Sequence, residues 1–442
     1  MTESATDPTN ASTMLDHMTL DQQIGQLFMV GFSGTSAPPA VLDLIATQHV
    51  GGIILFARNL RDADQTLALT RALQATARAV GHPAPLLIAT DQENGIVRRL
   101  GPGATVFPGQ MAQGAVADEG VTRDIARATG EELRALGITM NLAPVVDVAN
   151  NPANPVIGVR SFGADPDLVA RLGVAALDGY AAAGVAATLK HFPGHGDTAT
   201  DSHLALPVIP HDMERLRAVE LVPFRRGVAA GAPVVMTAHI ALPVLTGSAT
   251  LPATLAPAVL HGLLREHLGF DGVVMTDCLE MKAISATVGV AAGAVLALKA
   301  GADLVLISHR HDRQVAGIAA VRAAVADGAL APGRVRESAE RVLRLKARLC
   351  SWADWDAWDA RADARDATDA ASVARAAEHR ALAEAAYART ITLIRDDARA
   401  LPLVPDPAGR VLIVARAGGP VNQAAGARPG AAGTQALAAA LR

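Results

Sequence analysis

The sequence predicts an α/β protein: a (β/α)8 TIM-type barrel, followed by the start of an incomplete C-terminal α/β domain. Three observations predict it. Eight short, nearly continuous apolar runs recur between Leu27 and Ile307. Stretches with helical periodicity, rich in Ala, Leu, Arg and Glu, separate most of them. Polar residues able to do chemistry follow directly after several of the runs. Runs without polar alternation describe strands buried on both faces, as in a parallel sheet covered by helices. Eight such units fit a closed barrel better than an open doubly wound sheet, which is the alternative.

Taken in order, residues 1–18 are polar and are expected to form a disordered N-terminal tail. The barrel is expected over 19–350. Its strands are Leu27–Phe32, Gly52–Phe56, Leu86–Thr90, Met140–Val146, Val185–Leu189, Val234–Thr237, Gly272–Thr276 and Asp303–Ile307. Each is a compact apolar run of strand length. Gln65–Val80, Val121–Leu136, Asp167–Ala183 and Met213–Ala230 repeat apolar residues at helical spacing and read as connecting helices. A helix over Pro332–Leu349 closes the barrel. Ser351–Ala371, rich in Trp, Asp and Ala, reads as a linker or wrap-around segment. From 372 to 442 a partial α/β domain is expected, with a helix at Val373–Arg389 and strands at Thr390–Ile394 and Val411–Val414. That remainder is too short for an α/β domain of ordinary size.

Composition narrows the function. Half of the 442 residues are hydrophobic, which permits a large core, and only 3% are aromatic. The formal net charge is −4 with no basic run, which argues against a nucleic-acid partner. Two cysteines, Cys278 and Cys350, exclude a disulfide framework and suit a reducing compartment. The N-terminal residues lack the apolar core of a signal peptide, and no run is long enough to span a membrane. The expectation is a cytoplasmic protein with no membrane partner and an oligomeric state that the sequence leaves open.

The polar residues cluster after the strands. Asp91 follows the third, Asp147 the fourth, Lys190 and His191 the fifth, His239 the sixth and Asp277 the seventh. In a barrel all of them fall on the C-terminal rim, where barrel enzymes keep their active sites. Any one could be a strand-end cap; five sites on one rim point to chemistry.

The loop Lys190–His203 is the densest of these clusters. His191 and His195 have a spacing that binds zinc on a helix, but Pro193 and Gly194 between them disfavour a helix, so no metal site is expected. His195 is read as shaping the loop. Asp201 and His203, two apart on an extended segment, can set a carboxylate against an imidazole and stabilise the imidazolium; an Asx-type turn is the other reading. Asp277 ends an apolar strand, a rigid position that suits either a nucleophile or a structural cap. Cys278 is expected to point away from Asp277 by strand alternation and to pack in the core.

Four motifs occur in order: TDQENGIVRRL (90–100), NPVIGVRSFG (154–163), KHFPGHGDTATDSH (190–203) and VVMTDCLEM (273–281). Together they resemble the β-N-acetylglucosaminidase branch of glycoside hydrolase family three, over about Leu20 to Leu349. The resemblance implies a (β/α)8 barrel and a retaining exo-β-N-acetylglucosaminidase. It implies that Asp277 is the catalytic nucleophile, and that His203 is the general acid/base with Asp201 as its partner. It further implies that Asp91, Arg99, Arg160, Lys190 and His191 bind the sugar. Asn94 stands where most members of that branch have glycine. No cofactor and no metal are implied, and the expected partner is a small carbohydrate or a muropeptide.

These roles are chemically coherent. Retention needs a nucleophile on one side of the anomeric carbon and an acid by the leaving oxygen, usually two carboxylates. An imidazolium beside a carboxylate can serve as that acid and then as the base for water. Peptidoglycan fragments, and a role in their recycling, are the expected substrate class and setting. The alternatives are a β-N-acetylglucosaminide phosphorylase using the same site and a β-glucosidase of the same family. A truncated inactive fragment or a sugar-binding barrel is the non-enzymatic reading.

Overall fold

The computed structural model describes residues 8–363, 370–393 and 397. Eight parallel strands make one sheet: β1 (Phe28–Val30), β2 (Gly52–Leu55), β3 (Leu87–Thr90), β4 (Met140–Asn141), β5 (Ala186–Phe192), β6 (Val234–Thr237), β7 (Val273–Thr276) and β8 (Val305–Ile307). Their order is β7-β6-β5-β4-β3-β2-β1-β8. A parallel bridge between Met275 and Leu304 joins the two ends, and the N–H groups of Asp303 and Leu304 donate to the Val274 carbonyl. The sheet is therefore the closed barrel that the eight runs predict.

Alternation along the strands divides the core in two. Met29, Ile54, Leu87, Met140, Ala186, Met236, Met275 and Leu306 fill the barrel interior. Phe28, Val30, Ile53, Ile88, Val235, Val274 and Ile307 face the surrounding helices. Both faces are buried, which is why the strands are apolar throughout. Each Val, Leu, Ile, Phe or Met among them contributes about 1.5–3 kcal/mol by leaving water. Aspartates start the helices that carry the chain back. Asp62 accepts the Gln65 N–H, Asp118 those of Gly120 and Val121, and Asp165 that of Leu168.

Several boundaries differ from expectation for identifiable reasons. β4 stops at Asn141, because Pro144 has no N–H to give the ladder; pairing resumes as a single bridge from Val145 to Lys190. β5 runs on through Lys190 and His191 to Phe192. The single helix expected over Met213–Ala230 is two, Met213–Ala218 and Val222–Ala229; Pro223 sits in the first turn of the second, where its missing N–H costs nothing.

Two segments are more ordered than expected. Within the tail expected to be disordered, Pro8–Asp16 is a helix, with Ala11 and Leu15 buried and Asp16 paired to Arg336 at 2.6 Å. Ala11, Met14 and Leu15 recur at helical spacing and supply the face that docks. Within the expected linker, Trp352–Asp363 is a helix. Trp352, Trp355 and Trp358 fall on one side of it; Trp355 and Trp358 are buried, and the Trp352 and Trp358 indoles donate to the His82 and Arg134 carbonyls.

The next helix, Ala370–Thr390, lies along the barrel. Its Ala383 and Ala386 pack with Phe107, Ile125 and Ala128. His379 sits 3.1 Å from both Glu131 and Glu132, and Arg389 2.8 Å from Asp118. Residues 391–393 form no strand, since no neighbouring segment among the described residues offers a ladder, and Ile391 and Leu393 are exposed. The strand expected at Val411–Val414, and most of the partial domain, lie outside the described residues. Among the described residues no helix is long and apolar enough to cross a membrane.

Candidate active site

A cavity of about 760 Å³ opens at the C-terminal ends of the strands. Its lining includes Asp91, Arg99, Arg160, Lys190, His191, His203 and Asp277. Of the residues expected at the site, only Asp201 is not on the lining; it stands behind His203.

The side of the cavity formed by β3 and β5 is a buried lattice of charges. Lys190 Nζ lies 2.9 Å from Asp91 and 2.7 Å from Glu93. Arg160 grips Glu93 with two parallel bonds, Nε to Oε2 and Nη2 to Oε1, both 2.8 Å. Arg99 reaches within 4.0 Å of Asp91, and its backbone N–H donates to the Gln92 side chain at 2.8 Å. Burial alone would push the Glu93 carboxyl up, but Arg160 and Lys190 outweigh it and hold it far below the usual carboxylate range. Burial likewise opposes the charges on Lys190 and Arg160, yet the facing carboxylates raise both pKa values above their ordinary values. Glu93, Lys190 and Arg160 are therefore ionised at neutral pH.

The β5 register against β6 shifts between Leu189 and Phe192. Strict alternation would send Lys190 and His191 to opposite faces; the irregularity lets both line the cavity. His191 is fixed by Asp147, a fully buried carboxylate 2.7 Å from its Nδ1. Asp147 also accepts the His195 N–H at 2.6 Å. Burial favours the neutral acid, but the adjacent His191 keeps Asp147 below the usual range. Asp147 thus ties the end of β5 to the start of the following loop.

His195 is not placed to hold a metal. Its Nδ1 lies 2.7 Å from the Thr198 hydroxyl and its Nε2 2.9 Å from the Ser202 hydroxyl, so both ring nitrogens are engaged. Burial lowers its pKa to about 4, leaving it neutral. Asn154 adds bonds to the carbonyls of His195 and Gly196. The loop so braced presents the Asp201–His203 pair: the Asp201 carboxylate lies 2.7 Å from His203 Nδ1 and accepts the His203 N–H at 2.8 Å. One carboxylate oxygen therefore makes the turn and also orients the ring, and the two readings of this pair coexist. His203 is one-third exposed, which leaves Nε2 open to the cavity.

Asp277 follows β7 directly and projects into the cavity. Its Oδ1 accepts the Cys278 N–H at 2.7 Å. Burial raises its pKa and the imidazoles of His239, His191 and His203 more than offset that, so it stays ionised below the usual range. His239, buried beneath, donates Nε2–H to the Cys278 carbonyl at 3.0 Å and holds the turn after Asp277. Cys278 does not point away as alternation predicts. β7 has ended at Thr276, and the thiol turns to the same cavity, 2.9 Å from the Ser308 hydroxyl. Burial pushes that thiol up to about 12.

Asn94 adopts a left-handed backbone, φ 68°, and its side chain donates to Thr129. Asparagine is the side chain that tolerates this region best after glycine, so the turn between Asp91 and Arg99 survives the substitution.

The model of the glycosyl hydrolase family 3 N terminal domain matches residues 19–345. The chain belongs to glycosyl hydrolase family 3. It is 38% identical over 369 residues to the beta-hexosaminidase A of Pseudoalteromonas piscicida, covering 75% of this chain and 62% of that protein. It is 33% identical over 429 residues to the beta-N-acetylglucosaminidase/beta-glucosidase of Cellulomonas fimi, covering 95% of this chain and 72% of that one. The structure of a family 3 beta-N-acetylglucosaminidase from Paenibacillus sp. str. FPU-7 superposes with a TM-score of 0.79 at 48% identity, over 86% of this chain and 70% of that chain.

Sequence reasoning passed over Glu93 and left Asp147 without a role. The signal for Glu93 was a charge imbalance: among the residues assigned to bind the sugar, Arg99, Arg160 and Lys190 stood against one carboxylate, Asp91. Three buried cations need more than one counter-charge.

Proposed function

We propose that this family 3 protein is a retaining exo-β-N-acetylglucosaminidase that works through a glycosyl-Asp277 intermediate with His203 as general acid/base. The observation that carries this reading is the Asp201–His203 pair at 2.7 Å, facing the cavity that holds Asp277. The cavity's other carboxylates are committed. Asp91 and Glu93 bind Lys190, and Glu280 accepts the backbone N–H groups of His309 and Arg310. That leaves His203 to move the proton. The names of the relatives support the same activity.

In the first step Asp277 Oδ2 attacks the anomeric carbon as the glycosidic bond breaks. His203 Nε2–H gives its proton to the departing oxygen, while Nδ1–H stays on Asp201. In the second step the neutral imidazole takes a proton from water, and the hydroxide oxygen displaces Asp277. Lys190, Arg99, Arg160 and His191 offer donors to the sugar, and Asp91 offers acceptors. Because the charged groups are already paired, the sugar meets a preformed network that needs little rearrangement.

Peptidoglycan fragments ending in N-acetylglucosamine are the proposed natural substrate class and the cytoplasm the proposed compartment, the latter in keeping with two free, buried cysteines. A panel of aryl β-N-acetylglucosaminides and β-glucosides, each with and without phosphate, tests the activity. Free N-acetylglucosamine from the N-acetylglucosaminides, with or without phosphate, and little turnover of the glucosides are the expected outcome. Sugar 1-phosphate would identify a phosphorylase, and equal turnover of glucosides would remove the acetamido requirement. Release of N-acetylglucosamine from purified muropeptides, and recovery of the protein in the soluble cell fraction, test the setting; inert muropeptides or recovery in the wall fraction would refute it.

A further inference from the structure

Cys278 Sγ, a carboxylate oxygen of Glu280 and a ring nitrogen of His309 lie within 4.8 Å of one another, and the hydrolytic steps above use none of them. Cys278 and Glu280 follow β7, and His309 follows β8. The set is held in place. Cys278 Sγ is 3.9 Å from Glu280 Oε2, and Glu280 accepts the His309 N–H at 2.6 Å and the Arg310 N–H at 3.2 Å. The Glu280 side chain is only 5% exposed. The His309 ring stacks on Phe56, with centroids 5.4 Å apart.

Sulfur, nitrogen and carboxylate oxygen form a donor set for zinc. Bonds of about 2.0–2.3 Å in tetrahedral geometry put ligand atoms roughly 3.3–3.8 Å apart; Cys278 Sγ and Glu280 Oε2 are 3.9 Å apart, and the three ligand atoms fall within 4.8 Å of one another. We propose that these three residues bind a zinc-type divalent cation beside Asp277, and that the bound ion excludes substrate from the cavity. The thiol proton leaves to solvent as sulfur ligates, and water fills the fourth position. Arg58 borders the same group and Arg313 lies 3.8 Å from Glu280; their charges weaken the site, which makes it one filled by added metal and not a structural centre. The binding itself is independent of the hydrolase reading.

The test is titration of the whole chain with cadmium chloride, following the ultraviolet thiolate-to-cadmium absorption, together with inhibition by zinc chloride. One equivalent of the cadmium band is expected in the wild type and in Cys350→Ser, and none in Cys278→Ser. In His309→Ala, on an exposed loop where folding is not at risk, and in Glu280→Gln, the affinity should fall at least about tenfold, the loss caused even by removing a residue that only orients a ligand. A band lost in Cys350→Ser, or unchanged affinity in His309→Ala, overturns the site. Zinc inhibition that is undiminished in Cys278→Ser and His309→Ala, each measured against its own metal-free rate, overturns the inhibitory role.

Discussion

Replacing Glu93 by glutamine changes one charge and almost no volume, and the structure says what that should cost. One carboxylate oxygen accepts Arg160 Nη2 and Lys190 Nζ, and the other accepts Arg160 Nε, all at 2.7–2.8 Å. Glutamine keeps one acceptor oxygen. Facing Nη2 and Nζ, it must turn its amide nitrogen toward Nε, donor against donor. Losing that charge-assisted bond is worth about 1.5–3 kcal/mol. Removing the negative charge from between two buried cations brings the loss to about 3–5 kcal/mol, because both cations stay buried with one partner gone. Urea unfolding followed by circular dichroism measures it, and the midpoint should fall with the slope unchanged. Asp91→Asn is the comparison. Asp91 is 15% exposed and makes one bond to Lys190, so its loss should cost no more than about 2 kcal/mol of stability while raising KM. If Glu93→Gln unfolds within about 1 kcal/mol of the wild type, the lattice contributes no more than a surface ion pair does, and the reasoning fails.

Asp277→Ala should lower turnover by about 10⁴-fold or more and abolish trapping by a slow fluorosugar, read by mass spectrometry; an adduct on the variant would exclude Asp277 as nucleophile. His203→Ala should slow substrates with poor leaving groups by about 10²–10⁴-fold and leave activated aryl glycosides far less affected in the glycosylation step. Equal losses on both would assign His203 a structural role. The hydrogen bond to Glu132, with that to Glu131, raises the His379 pKa above its ordinary value despite burial. The folded state then holds its proton more tightly than the unfolded chain, so this stability is fully present below the unfolded pKa of about 6.5 and is lost as pH rises through the raised folded value. The Tm gap between wild type and His379→Gln should therefore be widest near about pH 5 and close by about pH 9; a gap constant with pH would refute the pairing.

The barrel was legible because burial on both faces leaves strands with few polar positions before their C-terminal ends, and because aspartates mark the helix starts. Lys190, His191, Asp201, His203 and Asp277 were legible because reactive side chains crowd the C-terminal ends of those strands and the loops after them. Glu93 was hidden in what reads as a turn, since its partners Arg160 and Lys190 lie far along the chain and only the closed barrel brings them together. The helices at Pro8–Asp16 and Trp352–Asp363 were missed because short segments are stable only through the surface they cover, and local composition does not reveal that surface. The direction of Cys278 was misread because alternation was carried two residues past the end of β7.

The lattice of Asp91, Glu93, Arg160 and Lys190 also bears on how such a site can change over evolution or in the laboratory. Each member is held by at least one other, so a lone substitution strands a buried charge, and only paired changes keep the balance. The loop bearing His203 and the wall around Phe56 and Lys282 lie outside this lattice. Single mutations there can alter which leaving group is accepted while the chain stays folded. Selection for new substrates should therefore broaden the aglycone first, and a change in the recognised sugar should require coordinated replacements on β3, β5 and the loop that carries Arg160.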